Sequence, residues 1–164
     1  MNNNTIPVGI SDYKISKAPD MLVTYALGSC VGITLYDATA HVGGLSHIML
    51  PSSSLKTNGI IDDRMKYADT AIPDLIDELE RLGARRSALR AKIVGGANMF
   101  NTKGTSFVDT IGDRNIEAVR HVLAQLGIPL VAEDVGANYG RTVYFQLQDG
   151  KVRVQSLGKN INEI

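Results

Sequence analysis

Cys30 is the only cysteine in the chain. It begins a strand-like segment, and a short turn joins this segment to a second one, which carries His47. An imidazole within reach of a thiol can remove the thiol proton and stabilise the nucleophilic thiolate. A solitary cysteine more often packs in the interior. Small residues surround Cys30, namely Gly28, Ser29 and Gly32, and they leave room for a substrate. We therefore interpret Cys30 and His47 as candidate catalytic residues.

The segments 30–36 and 41–49 are rich in β-forming residues, and the four residues 37–40 between them have turn character. This pattern predicts an antiparallel hairpin. An even-length turn over 37–40 would place Cys30 directly opposite His47, with their Cβ atoms about 4.5–5.5 Å apart. A slip of one residue would separate the two side chains.

The alternation of side chains along the first strand decides which face Cys30 occupies. Val31, Ile33 and Leu35 form the apolar face of that strand. Because side chains alternate between faces, Cys30 is expected on the opposite face, away from the obvious core side. A turn just before Cys30 would expose backbone N–H groups that can serve as an oxyanion site.

A catalytic imidazole needs a third group that fixes its orientation. Thr24, in the preceding strand candidate, has a hydroxyl suited to this task. Threonine is also a common strand former with no chemical role. The spacing alone does not choose between the two roles.

Metal and cofactor sites are not indicated by the other motifs. His41 and His47 lie six residues apart and, with a single cysteine, make a poor zinc set. Gly95 and Gly96 follow a strand but match neither dinucleotide-binding nor P-loop patterns. We expect neither a metal nor a cofactor.

Two amphipathic helices accompany the strands. The first carries apolar residues at helical spacing from Met65 to Leu82 and is expected to end at Gly83. Pro73 interrupts it and leaves two alternatives: a helix that begins near Thr70, or a longer helix kinked at the proline.

The second helix should be capped by Asp113 and stopped by Gly127-Ile128-Pro129. Strands are predicted, beyond the hairpin, over 6–16, 21–26, 91–94, 130–134, 141–147 and 151–156. Because strands outnumber helices and each helix has one apolar face for a sheet, the fold class is α+β.

The composition is that of one globular domain spanning residues 1–164, with 44% hydrophobic residues. Seventeen basic residues balance seventeen acidic ones, so no net field attracts nucleic acid or an anionic membrane. A single cysteine cannot form an internal disulfide, and the amino terminus lacks the pattern of a signal peptide. We expect a cytoplasmic protein with no direct membrane insertion.

Five runs of residues follow one another along the chain: Leu27-Gly28-Ser29-Cys30-Val31, Gly44-Leu45-Ser46-His47-Ile48-Met49-Leu50-Pro51, Lys66-Tyr67-Ala68-Asp69, Gly95-Gly96-Ala97-Asn98-Met99-Phe100 and Ile111-Gly112-Asp113-Arg114-Asn115. Together and in this order, they resemble motifs of the CheD family of chemoreceptor glutamine deamidases. The resemblance extends from about Ile6 to about Val154. Pro73 departs from the expected pattern and touches no candidate catalytic position.

The resemblance implies a bacterial or archaeal enzyme that hydrolyses selected glutamine side chains in chemoreceptor signalling helices to glutamate and ammonia. The family's Cys-His-Thr triad matches Cys30, His47 and Thr24. The family is also similar in fold to the cytotoxic necrotizing factor deamidases, which implies layered β-sheets with helices on one side. A CheC-type phosphatase of the response regulator CheY is implied as a second partner.

Two other functions fit the same residues. The chain could be a non-catalytic chemotaxis adaptor that docks receptors or the phosphatase, with Cys30 a vestige. The same thiol and imidazole could instead cleave peptides, transfer acyl groups or hydrolyse receptor methyl esters.

Overall fold

The structure of the protein, a computed structural model, describes residues 2–55, 63–100 and 110–164. The described strands are β1 Thr5–Pro7, β2 Asp12–Lys17, β3 Met21–Leu27, β4 Val31–Asp37, β5 Val42–Ile48, β6 Leu89–Gly95, β7 Leu130–Val135, β8 Arg141–Gln146, β9 Val152–Gln155 and β10 Asn162–Glu163. The described α-helices are α1 Ala68–Leu82 and α2 Ile111–Gln125, and short 3-10 turns span Ser53–Leu55 and Arg86–Ala88.

The strands form two mixed sheets of five. The first sheet has the order β1-β3-β8-β9-β10, with β1 and β3 parallel. The second sheet has the order β2-β5-β4-β6-β7, with β6 and β7 parallel. All other neighbouring strands are antiparallel.

Two apolar cores hold the layers together. One lies between the second sheet and the helices, where Val31, Ile33 and Leu35 of β4 pack with buried residues of α1 and α2. The other lies between the two sheets and joins Leu45 of β5 to residues such as Phe145 of β8. Both helices therefore cover the outer face of the second sheet, and the α+β prediction with helices on one side is confirmed.

The predicted strand over 6–16 is wrong as a single element. It divides into β1 and β2, which belong to different sheets. The chain turns between them at Gly9-Ile10-Ser11, where Ser11 has a φ of 55°. The first piece pairs with β3 and the second with β5, so this turn is where the chain passes from one sheet to the other. The short strand β10 was not predicted.

Helix α1 resolves the two alternatives left open by Pro73. The helix begins at Ala68 and continues through Pro73 to Leu82, so a start near Thr70 is wrong. The predicted end is confirmed, because Gly83 adopts a left-handed φ of 114° and its N–H bonds back to the last turn.

Helix α2 begins earlier than expected. Thr110 is the N-cap, and its hydroxyl accepts from the Asp113 N–H while the Asp113 carboxylate accepts from Thr110. This is a capping box, in which the acidic residue occupies the third helical position. Asp113 was thus placed correctly at the helix start but given the wrong role.

Candidate active site

The hairpin of β4 and β5 has a register two residues away from the predicted one. His47 pairs with Gly32, and Val31 pairs with Ile48. The predicted direct opposition of Cys30 and His47 is therefore wrong. Cys30 immediately precedes β4, so the two residues are diagonal rather than opposed.

The register shift comes from the turn, which occupies residues 38–41 rather than 37–40. Asp37 remains in the ladder opposite Val42, and its buried carboxylate accepts from the N–H groups of Thr39 and Ala40. His41 completes the turn with a φ of 53°. A carboxylate that caps its own turn fixes the loop length, and the loop length fixes the register.

A shift of two residues leaves every side chain on its predicted face. Gly32 lacks a side chain and lies opposite His47, two positions from Cys30. The Cys30 side chain is partly buried and packs against the core between the sheets. Cys30 and His47 thus share the face of the second sheet that looks toward the first, and diagonal neighbours on one face remain within reach of long side chains.

Thr24 of β3 contacts His47 across the gap between the sheets. Its Oγ1 lies 2.8 Å from His47 Nδ1 and 2.8 Å from the Val8 carbonyl oxygen. A hydroxyl has one proton, and the carbonyl can only accept it. The Thr24 hydroxyl therefore donates to Val8 and accepts from Nδ1–H, which leaves His47 Nε2 as the unprotonated ring nitrogen.

The strand that carries Thr24 is irregular at the site. Thr24 pairs with Val143 of β8, but the register shifts before Leu27, where the next pair forms. Ala26 has a φ of 58°, and Tyr25 beside it is exposed. Such a bulge bends a strand and ends regular pairing next to a site.

His47 is neutral in the folded protein. Burial lowers its pKa from 6.5 to about 4, because the charged imidazolium is poorly solvated there. Its Nε2 has no hydrogen-bond partner among the described residues although the atom is buried. A neutral imidazole whose Nε2 is unprotonated can accept a proton at that atom.

Burial also raises the pKa of the Cys30 thiol, an effect that the residue's own backbone N–H partly opposes. Both partners are therefore uncharged at rest. A neutral thiol can become a nucleophile by passing its proton to a neutral imidazole as the sulfur attacks.

The backbone carbonyl groups of residues 28–30 all accept hydrogen bonds from other parts of the protein. The Gly28 and Cys30 carbonyls accept from the N–H groups of Ala97 and Gly96, each at 2.8 Å. The Ser29 carbonyl accepts from the buried side chain of Asn115 at 2.9 Å.

In a trans peptide the N–H points opposite to the preceding C=O. The N–H groups of Ser29 and Cys30 therefore point away from these partners, and neither donates to a backbone carbonyl among the described residues. The Cys30 N–H faces its own sulfur. This arrangement fits the predicted oxyanion site.

Sequence reasoning missed Asn115. The residue lies in a run that carried the family resemblance, but it was given no function there. A signal was available in the sequence, since Asn115 directly precedes Ile116 of the apolar stripe on α2. In the structure its side chain is fully buried. A buried amide in a helix needs partners, and its partners lie at the site.

His41, weighed as a metal ligand, contacts Tyr36 and the Gln148 carbonyl instead. Among the described residues no group of three or more potential ligands is close enough to hold a metal ion. In the same ranges, no helix has the length and apolar character needed to cross a membrane.

The neutral state of His47 has a consequence for stability. Its folded pKa of about 4 lies below the unfolded value of 6.5, so between these values only the unfolded chain takes up the proton. Stability is therefore fully present above the unfolded value and is lost as the pH falls toward the folded one. From about pH 7.5 to about pH 5, the free energy of unfolding should fall by about 2 kcal/mol more in the native chain than in His47→Asn.

Urea unfolding of both proteins at the two pH values measures this difference. Equal losses of stability in the two proteins would mean that His47 is not buried as a neutral ring.

Comparisons with known proteins agree with the sequence motifs. Residues 49–156 match the family model described as CheD chemotactic sensory transduction. Proteins named probable chemoreceptor glutamine deamidase CheD from Clostridium botulinum strain Hall and Clostridium novyi strain NT are 49% and 45% identical to the chain. Both alignments cover 100% of each chain.

A crystal structure of the hypothetical protein YfiH from Bacillus licheniformis superposes with a TM-score of 0.50. It shares 14% sequence identity, over 77% of this chain and 51% of the other. At that identity the likeness concerns the fold alone.

Fold and site together define an α+β protein of two facing sheets, with a thiol on one sheet and an imidazole held by a hydroxyl from the other. The full-length relatives narrow this class to one family. The chain belongs to the CheD family.

Proposed function

We propose that this protein deamidates selected glutamine side chains of chemoreceptors by a cysteine thioester mechanism. The observation that carries the proposal is the hydrogen bond between Thr24 Oγ1 and His47 Nδ1, which leaves Nε2 free on the face that Cys30 shares. The names of the full-length relatives supply the substrate class.

The first half-reaction forms a thioester. Cys30 Sγ attacks the glutamine Cδ while its proton passes to His47 Nε2. The carbonyl oxygen becomes an oxyanion, and the N–H groups of Ser29 and Cys30 donate to it. The imidazolium then gives its proton to the departing nitrogen, the C–N bond breaks, and ammonia leaves.

The second half-reaction restores the enzyme. His47 Nε2 takes a proton from water as the water oxygen attacks the thioester carbonyl. The C–S bond breaks, the sulfur recovers its proton from the imidazolium, and glutamate is released. Thr24 holds the ring in one tautomer through both steps.

The finer parts of the family resemblance belong to the same proposal. We infer that the protein works in the cytoplasm, that it resembles the cytotoxic necrotizing factor deamidases in fold, and that a CheC-type phosphatase binds it. The balanced charge of the chain supports protein partners rather than nucleic acid.

The test is incubation with glutamine-containing cytoplasmic fragments of a chemoreceptor. We expect ammonia release together with a mass gain of about one dalton per converted glutamine, which follows from hydrolysis of an amide to an acid. Fragments that bind without gaining mass would favour the adaptor. Methanol release from methylated fragments with no ammonia would favour the esterase.

Thr24→Val should lower kcat by about 10- to 100-fold while KM changes little, because Nδ1–H loses its acceptor and the ring is no longer held in one tautomer. Thr34→Val is the matched control. Thr34 is a buried threonine of β4 whose hydroxyl bonds only to the Lys92 carbonyl among described residues. Ammonia release measured over a range of substrate concentrations separates kcat from KM, and equal kcat values for the two variants would contradict the role of Thr24.

A further inference from the structure

Asn115 is a fully buried side chain on the first turns of α2. Its Nδ2 lies 2.9 Å from the Ser29 carbonyl oxygen and 2.9 Å from the Met49 carbonyl oxygen. Both of its N–H bonds are thus engaged. Its Oδ1 is buried with no partner among the described residues.

The chemistry of the two partners fixes the orientation of this amide. A reversed Asn115 would place Oδ1 against two carbonyl oxygens, and neither of these can donate. The Asn115 side chain keeps this orientation because its two donated hydrogen bonds hold it, even though its own Oδ1 has no partner among the described residues.

The two carbonyls flank the candidate catalytic residues. Ser29 directly precedes Cys30, and Met49 follows the end of β5 two positions after His47. One side chain therefore ties the segment that carries the thiol to the segment that carries the imidazole.

Close backbone packing anchors the helix that presents Asn115. A Cβ added at Gly112 would lie 2.6 Å from the carbonyl oxygens of Gly96 and Ala97, so only glycine allows this approach. The N–H groups of the same two residues bind the carbonyls of Cys30 and Gly28. Gly96 and Ala97 thus pack against the amino-terminal end of α2 and also bind the segment 28–30.

We propose that Asn115 is a positioning residue of the active site. By holding the Ser29 carbonyl in the interior, it turns the N–H of Cys30 outward to where the oxyanion forms. By holding the Met49 carbonyl, it fixes the end of the strand that bears His47. This inference rests on the proposed deamidation, and its test separates the two.

Asn115→Asp keeps the shape of the side chain and replaces its two N–H donors by an oxygen, so that at most one donor, the proton of a neutral carboxyl, is left for the two carbonyls. We expect kcat for receptor fragments to fall by about 10- to 100-fold with KM within about twofold, because misplaced catalytic groups slow the reaction without weakening substrate binding. Amide hydrogen exchange in 28–30 and 48–50 should accelerate while exchange in β9 stays unchanged.

Lys92→Met is the matched control. Like Asn115, Lys92 donates from one side chain to two backbone carbonyls, those of Gly150 and Ile164, and methionine removes the donor while keeping an unbranched side chain. Lys92 pairs with Thr34 of β4, about 10 Å from Val31 at a rise of about 3.3 Å per residue. The control should lose stability yet keep its kcat within about twofold.

Two results would overturn the inference. One is a folded Asn115→Asp protein with native kcat, and the other is an equal loss of kcat in Lys92→Met. If Asn115→Asp does not fold, Asn115→Ser replaces it, since a hydroxyl can donate to one of the two carbonyls, and an intermediate kcat is expected.

If the native protein releases no ammonia, the proposed deamidation fails and hydrogen exchange alone decides about Asn115. Faster exchange confined to 28–30 and 48–50 supports the positioning role without that reaction. Unchanged exchange in both segments overturns it.

Discussion

We expect Cys30→Ala to abolish ammonia release from receptor fragments, with a loss of at least about 10³-fold, because no other group in the proposed site can form the thioester. The fold should survive the change. Cys30 is only partly buried, so its sulfur contributes a modest part of the core between the sheets. Ammonia assays and mass spectrometry of the fragments measure the loss, and thermal unfolding checks the fold.

Cys30→Ser provides the control for shape. Serine keeps a polar atom in the same place, but its hydroxyl has a far higher pKa than a thiol and His47 cannot activate it as readily. We expect the serine variant to be as inactive as the alanine variant while receptor fragments still bind to both. Ammonia release at the native rate from either variant would rule out the thiol mechanism.

His47→Asn should lower kcat by about 10²- to 10⁴-fold, which is the usual contribution of a general acid and base. The asparagine amide can still donate to Thr24 Oγ1 in place of Nδ1, so the link between the sheets is retained. What is lost is Nε2, which in the proposed mechanism takes the thiol proton and later supplies the proton of ammonia. A single-turnover assay of thioester formation measures the loss.

The matched control for this variant is Ser46→Ala. Ser46 is the neighbour of His47 on β5, is equally buried and points to the opposite face of the strand. Its Oγ has no partner among the described residues, so its removal costs little. Native activity in His47→Asn, or an equal loss in Ser46→Ala, would contradict the proposed role of the imidazole.

Much of the fold followed from the sequence because its strands and helices carry strong periodic patterns. The stripe on α2 and the apolar face of β4 were both predicted and are buried as expected. The division of residues 6–16 between two sheets was not predictable, since alternation continues on both sides of the turn and nothing local specifies the pairing partner.

The sequence predicted which residues form the candidate site and which faces they occupy, but not the register of β4 and β5 that aligns them. The faces of Cys30 and His47 depend only on alternation, whereas their alignment depends on the length of one turn. That length is set by Asp37, whose carboxylate holds the turn and also accepts from Arg85, 48 residues further along the chain. A contact so distant in sequence leaves no local pattern to read. The same holds for the two carbonyl partners of Asn115, which lie 86 and 66 residues before it, although its position beside the apolar stripe of α2 could be read from the sequence.

The bond between Thr24 and His47 joins two layers that are built from different parts of the chain. The second layer holds both Cys30 and His47, whereas the hydroxyl that orients the ring belongs to the first. A nascent or partly unfolded chain that has formed only the second layer would therefore have the thiol and the imidazole but lack the group that holds the ring, and full activity would require both layers to be assembled.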